Sequence, residues 1–168
     1  AEDKAFYNHF GIDLRALARA VVTNIVNYGK GRRPVGASTI TQQVTKNFLL
    51  NNEVSIDRKI KEAILSLRME RAFSKDQILA LYLNEIYLGR GSYGVAAAAL
   101  NYFDKSLGQL ELPEIAYLAA LPKAPNNYHP VRNLRAATIR RNWVLDEMQQ
   151  NGYICLLYTS DAADERHC

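Results

Sequence analysis

The chain has 168 residues, 21 of them Lys or Arg and 17 Asp or Glu, with 48% hydrophobic residues and a formal net charge of +4. That length and apolar content supply one sizeable core and exclude the disordered, collagenous and low-complexity classes. The basic balance, with a pI near 9.1, admits an anionic partner, whether nucleic acid, a phosphate-bearing substrate or an anionic membrane surface, and does not choose among them.

At the start, Ala1 is followed by Glu2 and Asp3 with no initiator Met. No apolar run reaches the roughly 18 residues that a spanning helix needs, so the chain reads as an internal piece of a longer protein with any membrane anchor upstream. Asp13 is placed to cap a helix on which Leu14, Leu17, Ala18, Val21, Val22 and Ile25 recur at helical spacing, with Arg15, Arg19, Thr23 and Asn27 off that face, until Gly29 stops it. From Gly29 to Gly36, three glycines, Pro34 and the cations Lys30, Arg32 and Arg33 predict a mobile basic loop. Ser55 opens a second helix with Ile56, Ile60, Ala63, Ile64 and Leu67 on one stripe. Ser74 and Gln77 form a capping-box pattern for a third, which runs through Ile86 to Gly89.

The glycine-rich turn Gly89–Gly94 leads into the alanine-rich stretch Val95–Leu100, whose small side chains allow close helix packing. Pro113 suits the first position of a helix through Leu121, and Asn133 caps a last helix ending near Asn151 and Gly152. No strand pair or repeat stands out, so the expected class is all-α without a separate second domain. Residues 155–168 read differently: Cys155 to Glu165 looks like the translation of a transposase sequencing-library adapter and is set aside as non-native. Removing that tail takes away three acids and one Arg, which leaves 20 basic and 14 acidic residues, a net of +6. Both cysteines leave with it, so no disulfide framework or thiolate metal site is argued.

Four features carry chemistry. Glu2 and Asp3 stand beside Phe6, His9 and Gly11, where a carboxylate in partly apolar surroundings becomes a useful acid or base, and where adjacent acids also serve as plain helix-dipole partners. Ser38, Thr39, Thr41, Gln42, Gln43, Lys46 and Asn47 follow Gly36 and Ala37, a dense set of donors suited to a sugar or diphosphate, or to a simple helix start. Arg58, Lys59, Lys61 and Glu62 offer either a surface ion pair or a cationic cradle that Glu62 orients. In the run from Tyr82 to Gly94, Asn84 is an amide that must find partners. His9, His129 and Trp143 read as structural, and no nucleophile elbow, phosphate loop or nucleic-acid motif is present.

In order, the stretches EDKAFYNHFG, GASTITQQVTKN, RKIKE, KDQILALYLNEIYLGRGSYGVAAAA, LPEIAYLAALPKAPNNYHP and RRNWVLDEM resemble the peptidoglycan glycosyltransferase domain, glycosyltransferase family 51, over nearly all of residues 1–154. The resemblance implies a lysozyme-like all-α fold with a larger head lobe and a smaller, membrane-proximal jaw lobe holding the Leu14 helix and the basic loop. It implies polymerisation of lipid II into β-1,4 glycan strands with inversion and release of undecaprenyl diphosphate, at the outer face of the bacterial cytoplasmic membrane. Glu2 matches the catalytic base and Glu62 the second carboxylate. Arg58, Lys59 and Lys61 would hold the diphosphate, and Ser38, Thr39, Gln42, Gln43, Lys46 and Asn47 would line the groove. Asp3 would act there as well, through a divalent cation such as Mg or Mn, although no cofactor is required and no all-protein metal site is expected.

The implied partners are lipid II, the growing strand, the membrane surface and a fused transpeptidase domain, with no nucleic acid. Val54 stands where many members carry Arg, which removes one cation, and Ala37 stands where glycine is common. A lysozyme-like hydrolase is the alternative, which the basic RKIKE helix disfavours because a neutral glycan has no diphosphate to neutralise. A non-catalytic helical scaffold is the third reading.

Overall fold

The computed structural model describes residues 2–31, 34–49 and 55–154. The expectations that rest on Arg32, Arg33, Val54 and residues 155–168 lie outside them. Seven α-helices follow in chain order: α1 (Leu14–Val26), α2 (Ile40–Leu49), α3 (Ile56–Ala72), α4 (Lys75–Glu85), α5 (Val95–Phe103), α6 (Leu112–Ala120) and α7 (Leu134–Gln150). Among the described residues there is no strand, only an isolated antiparallel bridge between Tyr87 and Tyr93. The class is all-α, in keeping with the lysozyme-like architecture that the resemblance implies. Within the domain expected over residues 1–154, the chain separates into two compact units, Glu2–Glu85 and the part beginning at Ile86.

Helix starts follow their local chemistry. The Asp13 carboxylate accepts from Ala16 N–H, and the Ser55 hydroxyl accepts from Arg58 N–H. Ser74 and Gln77 close the reciprocal capping box, the Gln77 amide oxygen accepting from Ser74 N–H and the Ser74 hydroxyl from Gln77 N–H. Pro113 sits in the first turn of α6, where its missing N–H costs nothing. Asn133 flanks α7 without a side-chain cap bond.

One boundary differs from expectation. The third predicted helix ends at Glu85 rather than continuing to Gly89. Gly94 N–H reaches Ile86 O and Leu88 N–H reaches Ser92 O, a tight loop that needs left-handed backbone at Gly89, Arg90, Gly91 and Gly94. These non-helical bonds take over where the helix would have continued.

In the first unit α2 packs on both α3 and α4. Its buried apolar residues are Phe6, Ala20, Ile40, Val44, Ile78 and Tyr82. In the second unit α6 packs on α7 around Ala116, Ala120, Val144 and Leu145, with Leu112, Trp143, Met148 and Ile154 against them. Trp143 is half-buried there and carries the Arg140 guanidinium 3.9 Å from its ring centroid.

Two faces lie opposite to what an apolar stripe suggests. On α1 only Ala20 is buried, and Leu14, Val22 and Ile25 are exposed. On α3 the stripe Ile56, Ile60, Ile64 and Leu67 is exposed, while Glu62 and Ser66 are the buried residues. Among the described residues no helix is long and apolar enough to cross a membrane.

Candidate active site

The acidic segment is tied to the start of α2 by hydrogen bonds. His9 Nδ1 accepts from Gly11 N–H at 3.1 Å, so its proton sits on Nε2, which donates to Asp3 Oδ2 at 2.9 Å. The same Asp3 oxygen accepts from Ile40 N–H, the first amide of α2, at 3.1 Å. A negative charge at that positive helix end is favourable, so the dipole-partner role of Asp3 is realised. Glu2, half-buried, adjoins this anchored residue.

Thr39 and Gln42 make a second reciprocal cap. Gln42 Oε1 accepts from Thr39 N–H, and Thr39 Oγ1 accepts from Gln42 N–H while donating to Gly11 O at 2.6 Å. Both side chains are buried. Thr39 Oγ1 and Gln42 Oε1 set the turn that presents Gln43, half-buried, and Lys46 and Asn47, both exposed. Gly11 makes this approach possible: it is buried at φ +86°, and a Cβ on it would stand 3.0 Å from Ser66 O.

Behind α2 runs a ladder of buried polar groups. Thr45 Oγ1 donates to Gln42 O at 3.0 Å and lies 3.2 Å from Ser66 Oγ, which donates to Glu62 O at 2.7 Å. Thr41 Oγ1 donates to Glu70 Oε1, which also receives Lys75 Nζ. Glu62, 2% exposed, is gripped through Oε1 by Lys59 Nζ, and the same ammonium donates to Ser38 Oγ at 2.9 Å. Lys59 thus joins the second and third sequence features. Of the three cations in the RKIKE stretch, Lys59 is the one that contacts Glu62.

Glu62 Oε2 and Arg58 Nε are both buried and make no hydrogen bond among the described residues. Buried polar atoms ordinarily find partners, so these two unpaired atoms set this helix end apart. Lys61 is exposed on the same helix. The buried Tyr82 hydroxyl is raised above the ordinary phenol range, first by its burial and then by the charges of Glu2 and Asp3.

The remaining candidates are structural or solvated. His129 Nδ1 accepts from Val131 and Arg132 N–H, which closes a turn, and Asn84 is exposed and so meets water. Among the described residues no group of three or more His, Cys, Asp or Glu side chains is placed to hold a metal ion. A groove of about 210 Å³ in the second unit is lined by Phe103, Tyr117, Leu134 and Arg141, and none of the predicted site residues reaches it. Reading from the sequence misses Thr45, Ser66, Glu70 and Lys75, and it counts Thr41 among the donors suited to a ligand, whereas the Thr41 hydroxyl is buried and donates to Glu70. The signal was present in the four-residue spacing of Glu62, Ser66 and Glu70 and of Thr41 and Thr45, a polar face hidden beneath attention to the apolar one.

The family model described as Transglycosylase matches residues 1–149. Penicillin-binding protein 1A of Rickettsia felis is 58% identical over 165 residues, which cover 98% of this chain and 20% of that protein. Its counterpart in Aquifex aeolicus is 54% identical over 153 residues, 91% of this chain and 21% of that protein. A crystal structure of Penicillin-Binding Protein 1A from Haemophilus influenzae aligns at 36% identity with a TM-score of 0.47, covering 75% of this chain and 16% of that one. The chain spans about 20% of the length of the curated relatives it matches.

Proposed function

We propose that this chain, which belongs to the transglycosylase family, is the glycosyltransferase module of a peptidoglycan polymerase, and that it joins lipid II units into β-1,4 glycan strands with inversion. The observation that carries this reading is the Ser38–Lys59–Glu62 contact, with Arg58 Nε and Glu62 Oε2 buried on the same helix and without a hydrogen bond among the described residues. A cation locked to a buried carboxylate, on the helix that also carries the half-buried Arg58, suits a diphosphate leaving group, whose charge grows as its bond to the sugar breaks. A hydrolase of neutral glycans gains nothing from that arrangement.

In this mechanism Glu2 takes the proton of the acceptor 4-hydroxyl as that oxygen attacks the donor anomeric carbon. The new glycosidic C–O bond forms on one face while the bond to the diphosphate breaks on the other, and undecaprenyl diphosphate departs. Glu62 holds Lys59 in place, Arg58 and Lys61 add charge, and Ser38, Gln43, Lys46 and Asn47 border the groove. Asp3, Thr39 and Gln42 act on the protein side, since their hydrogen bonds set the α2 start. Asp3 Oδ2 receives two donors from the protein, and Lys and Arg neutralise the diphosphate, with room for a divalent cation such as Mg or Mn to add to that charge. The exposed apolar face of α1, with Arg15 and Arg19 beside it, rests on the anionic outer face of the cytoplasmic membrane. The greater length of the Penicillin-binding protein 1A relatives leaves room for a fused transpeptidase.

The test is a gel-resolved reaction of the 168-residue chain with labelled lipid II in detergent, beside Glu2→Gln and with circular dichroism on both. A glycan ladder from the wild type and a loss of about 10² to 10⁴ in rate from a folded Glu2→Gln are expected, the usual worth of a positioned base. Equal rates in the two proteins refute the assignment of Glu2.

A further inference from the structure

One ion pair in the interior of the first unit is not used by the glycosyl-transfer mechanism. Glu70 lies towards the end of α3 and its side chain is 8% exposed. Its Oε1 accepts from the Thr41 hydroxyl at 2.5 Å and from Lys75 Nζ at 2.7 Å. Thr41 is fully buried in the first turn of α2, next to Gln42 and Gln43. Lys75 opens α4, and its ammonium stands 4.6 Å from the centroid of the buried Phe6 ring, on the segment that begins with Glu2. The Glu70 Cγ meets the same segment a second time, 3.1 Å from where a Cβ on Gly11 would stand. A single carboxylate on α3 therefore reaches α2 and α4 directly, and the acidic segment through Phe6 and Gly11.

A junction of this kind is a poor source of stability, because the attraction within a buried pair is largely offset by desolvation. It is a good source of direction. Apolar contacts let a helix slide or turn about its axis at little cost, whereas a 2.5 Å hydrogen bond to a buried hydroxyl holds one rotation. The turn held here is the one from which Gln43 and Lys46 project.

We propose that Glu70 is a positioning residue for glycosyl transfer: braced by Lys75, it holds the Thr41 turn of α2 in register with the Phe6 segment, and so places the groove side chains relative to Glu2. The proposal rests on the function proposed above. Neither Glu70 nor Lys75 touches the reacting groups, so their effect falls on the rate of the bound complex rather than on substrate affinity.

The experiment measures kcat and KM for polymerisation of lipid II by the 168-residue chain and by Glu70→Gln, Thr41→Val, Thr41→Ser and the Glu70→Gln/Thr41→Val double variant, with melting followed by circular dichroism. Glu70→Gln and Thr41→Val are expected to lower kcat about tenfold with KM within about twofold, the scale on which sub-ångström misplacement acts. Thr41→Ser keeps the hydroxyl and retains kcat. The double variant is no slower than Glu70→Gln alone, because both changes break the same contact. Should Glu70→Gln not fold, Thr41→Val against Thr41→Ser decides the matter. Undiminished kcat in Glu70→Gln or Thr41→Val beside an active wild type overturns this proposal alone, as does activity that falls only in step with the folded fraction. A folded wild type that makes no glycan overturns the proposed function and the positioning role with it.

Discussion

In the unit from Glu2 to Glu85 the most deeply buried side chains include Thr41, Thr45, Ser66 and Glu62 beside Ile78 and Val44, whereas from Ile86 onward they are mainly apolar, Leu88, Ala98, Ala99, Ala116, Ala120, Leu121 and Ala137, with Ser92 alongside. The first unit also turns large apolar side chains outward along α1 and α3, among them Ile25 at 69% exposure and Ile56 at 81%. Each half contains the same kind of helix, but they spend their interiors differently. The second unit gains stability in the ordinary way, by taking alanine, valine and leucine out of water. The first gives up part of that gain to hold hydroxyls and carboxylates where they orient one another, and its hydroxyls satisfy the requirement that buried polar groups be bonded. A polar interior is thus the mark of the unit that holds the proposed site.

The sharpest way to break this contrast is to remove charge from the polar interior. Glu62→Gln should cost most of the activity, a loss of about 10² or more in rate, while the melting temperature holds or rises, since it removes a buried carboxylate whose second oxygen has no bond among the described residues. A steep drop in melting temperature with activity retained would make Glu62 a structural residue instead.

The corresponding change in the apolar interior should behave in the opposite manner. Leu121, fully buried, leaves a cavity when changed to Ala, and a loss of about 2 to 5 kcal/mol is expected by denaturant unfolding. The variant that remains folded should keep its wild-type rate. A loss smaller than that of a surface substitution would show that the second unit is not held by its core.

A smaller effect separates two buried tyrosines, one in each unit. Tyr117 donates its hydroxyl to Tyr128 O at 2.7 Å, while the Tyr82 hydroxyl makes no hydrogen bond among the described residues. Tyr117→Phe is expected to cost about 1 kcal/mol and Tyr82→Phe close to nothing. Burial raises both phenols in the folded state above the ordinary 10.0. Each therefore contributes stability that is whole below pH 10 and lost as the pH climbs from there towards the folded value, because only the unfolded phenol ionises freely. Either substitution should flatten the alkaline limb of the stability profile. An unchanged limb in Tyr82→Phe would mean that its hydroxyl is solvated.

Much of the fold was legible because its signals are local. Asp13, Ser55 and the Ser74–Gln77 pair sit within one turn of the amides they cap, so sequence spacing alone specifies the bond. The order of the motifs was likewise enough to point to the transglycosylase family, and three of the four polar features lead to residues joined by hydrogen bonds around α2 and the first turns of α3. The helix after Ser74 was read too long because nothing local ends it. Its stop at Glu85 comes from bonds between Ile86–Leu88 and Ser92–Gly94, which form only once the glycine loop has turned back.

Which side of a helix faces inward was decided by the tertiary structure. Periodicity shows that α3 has an apolar stripe and a polar stripe, but not which of them meets α2, because that depends on what α2 presents. There Thr41 and Thr45 meet Ser66 and Glu70, so the polar side of α3 is drawn inward and its isoleucines are left outside. The same packing selects Lys59 over Arg58 as the partner of Glu62 and brings Lys75 under Phe6. By itself the sequence determined where helices begin and which family they build, since capping and motif order act over a few neighbouring residues. Only the assembled helices decided which polar groups share an interior, since those bonds join residues far apart in the chain and form when the helices pack.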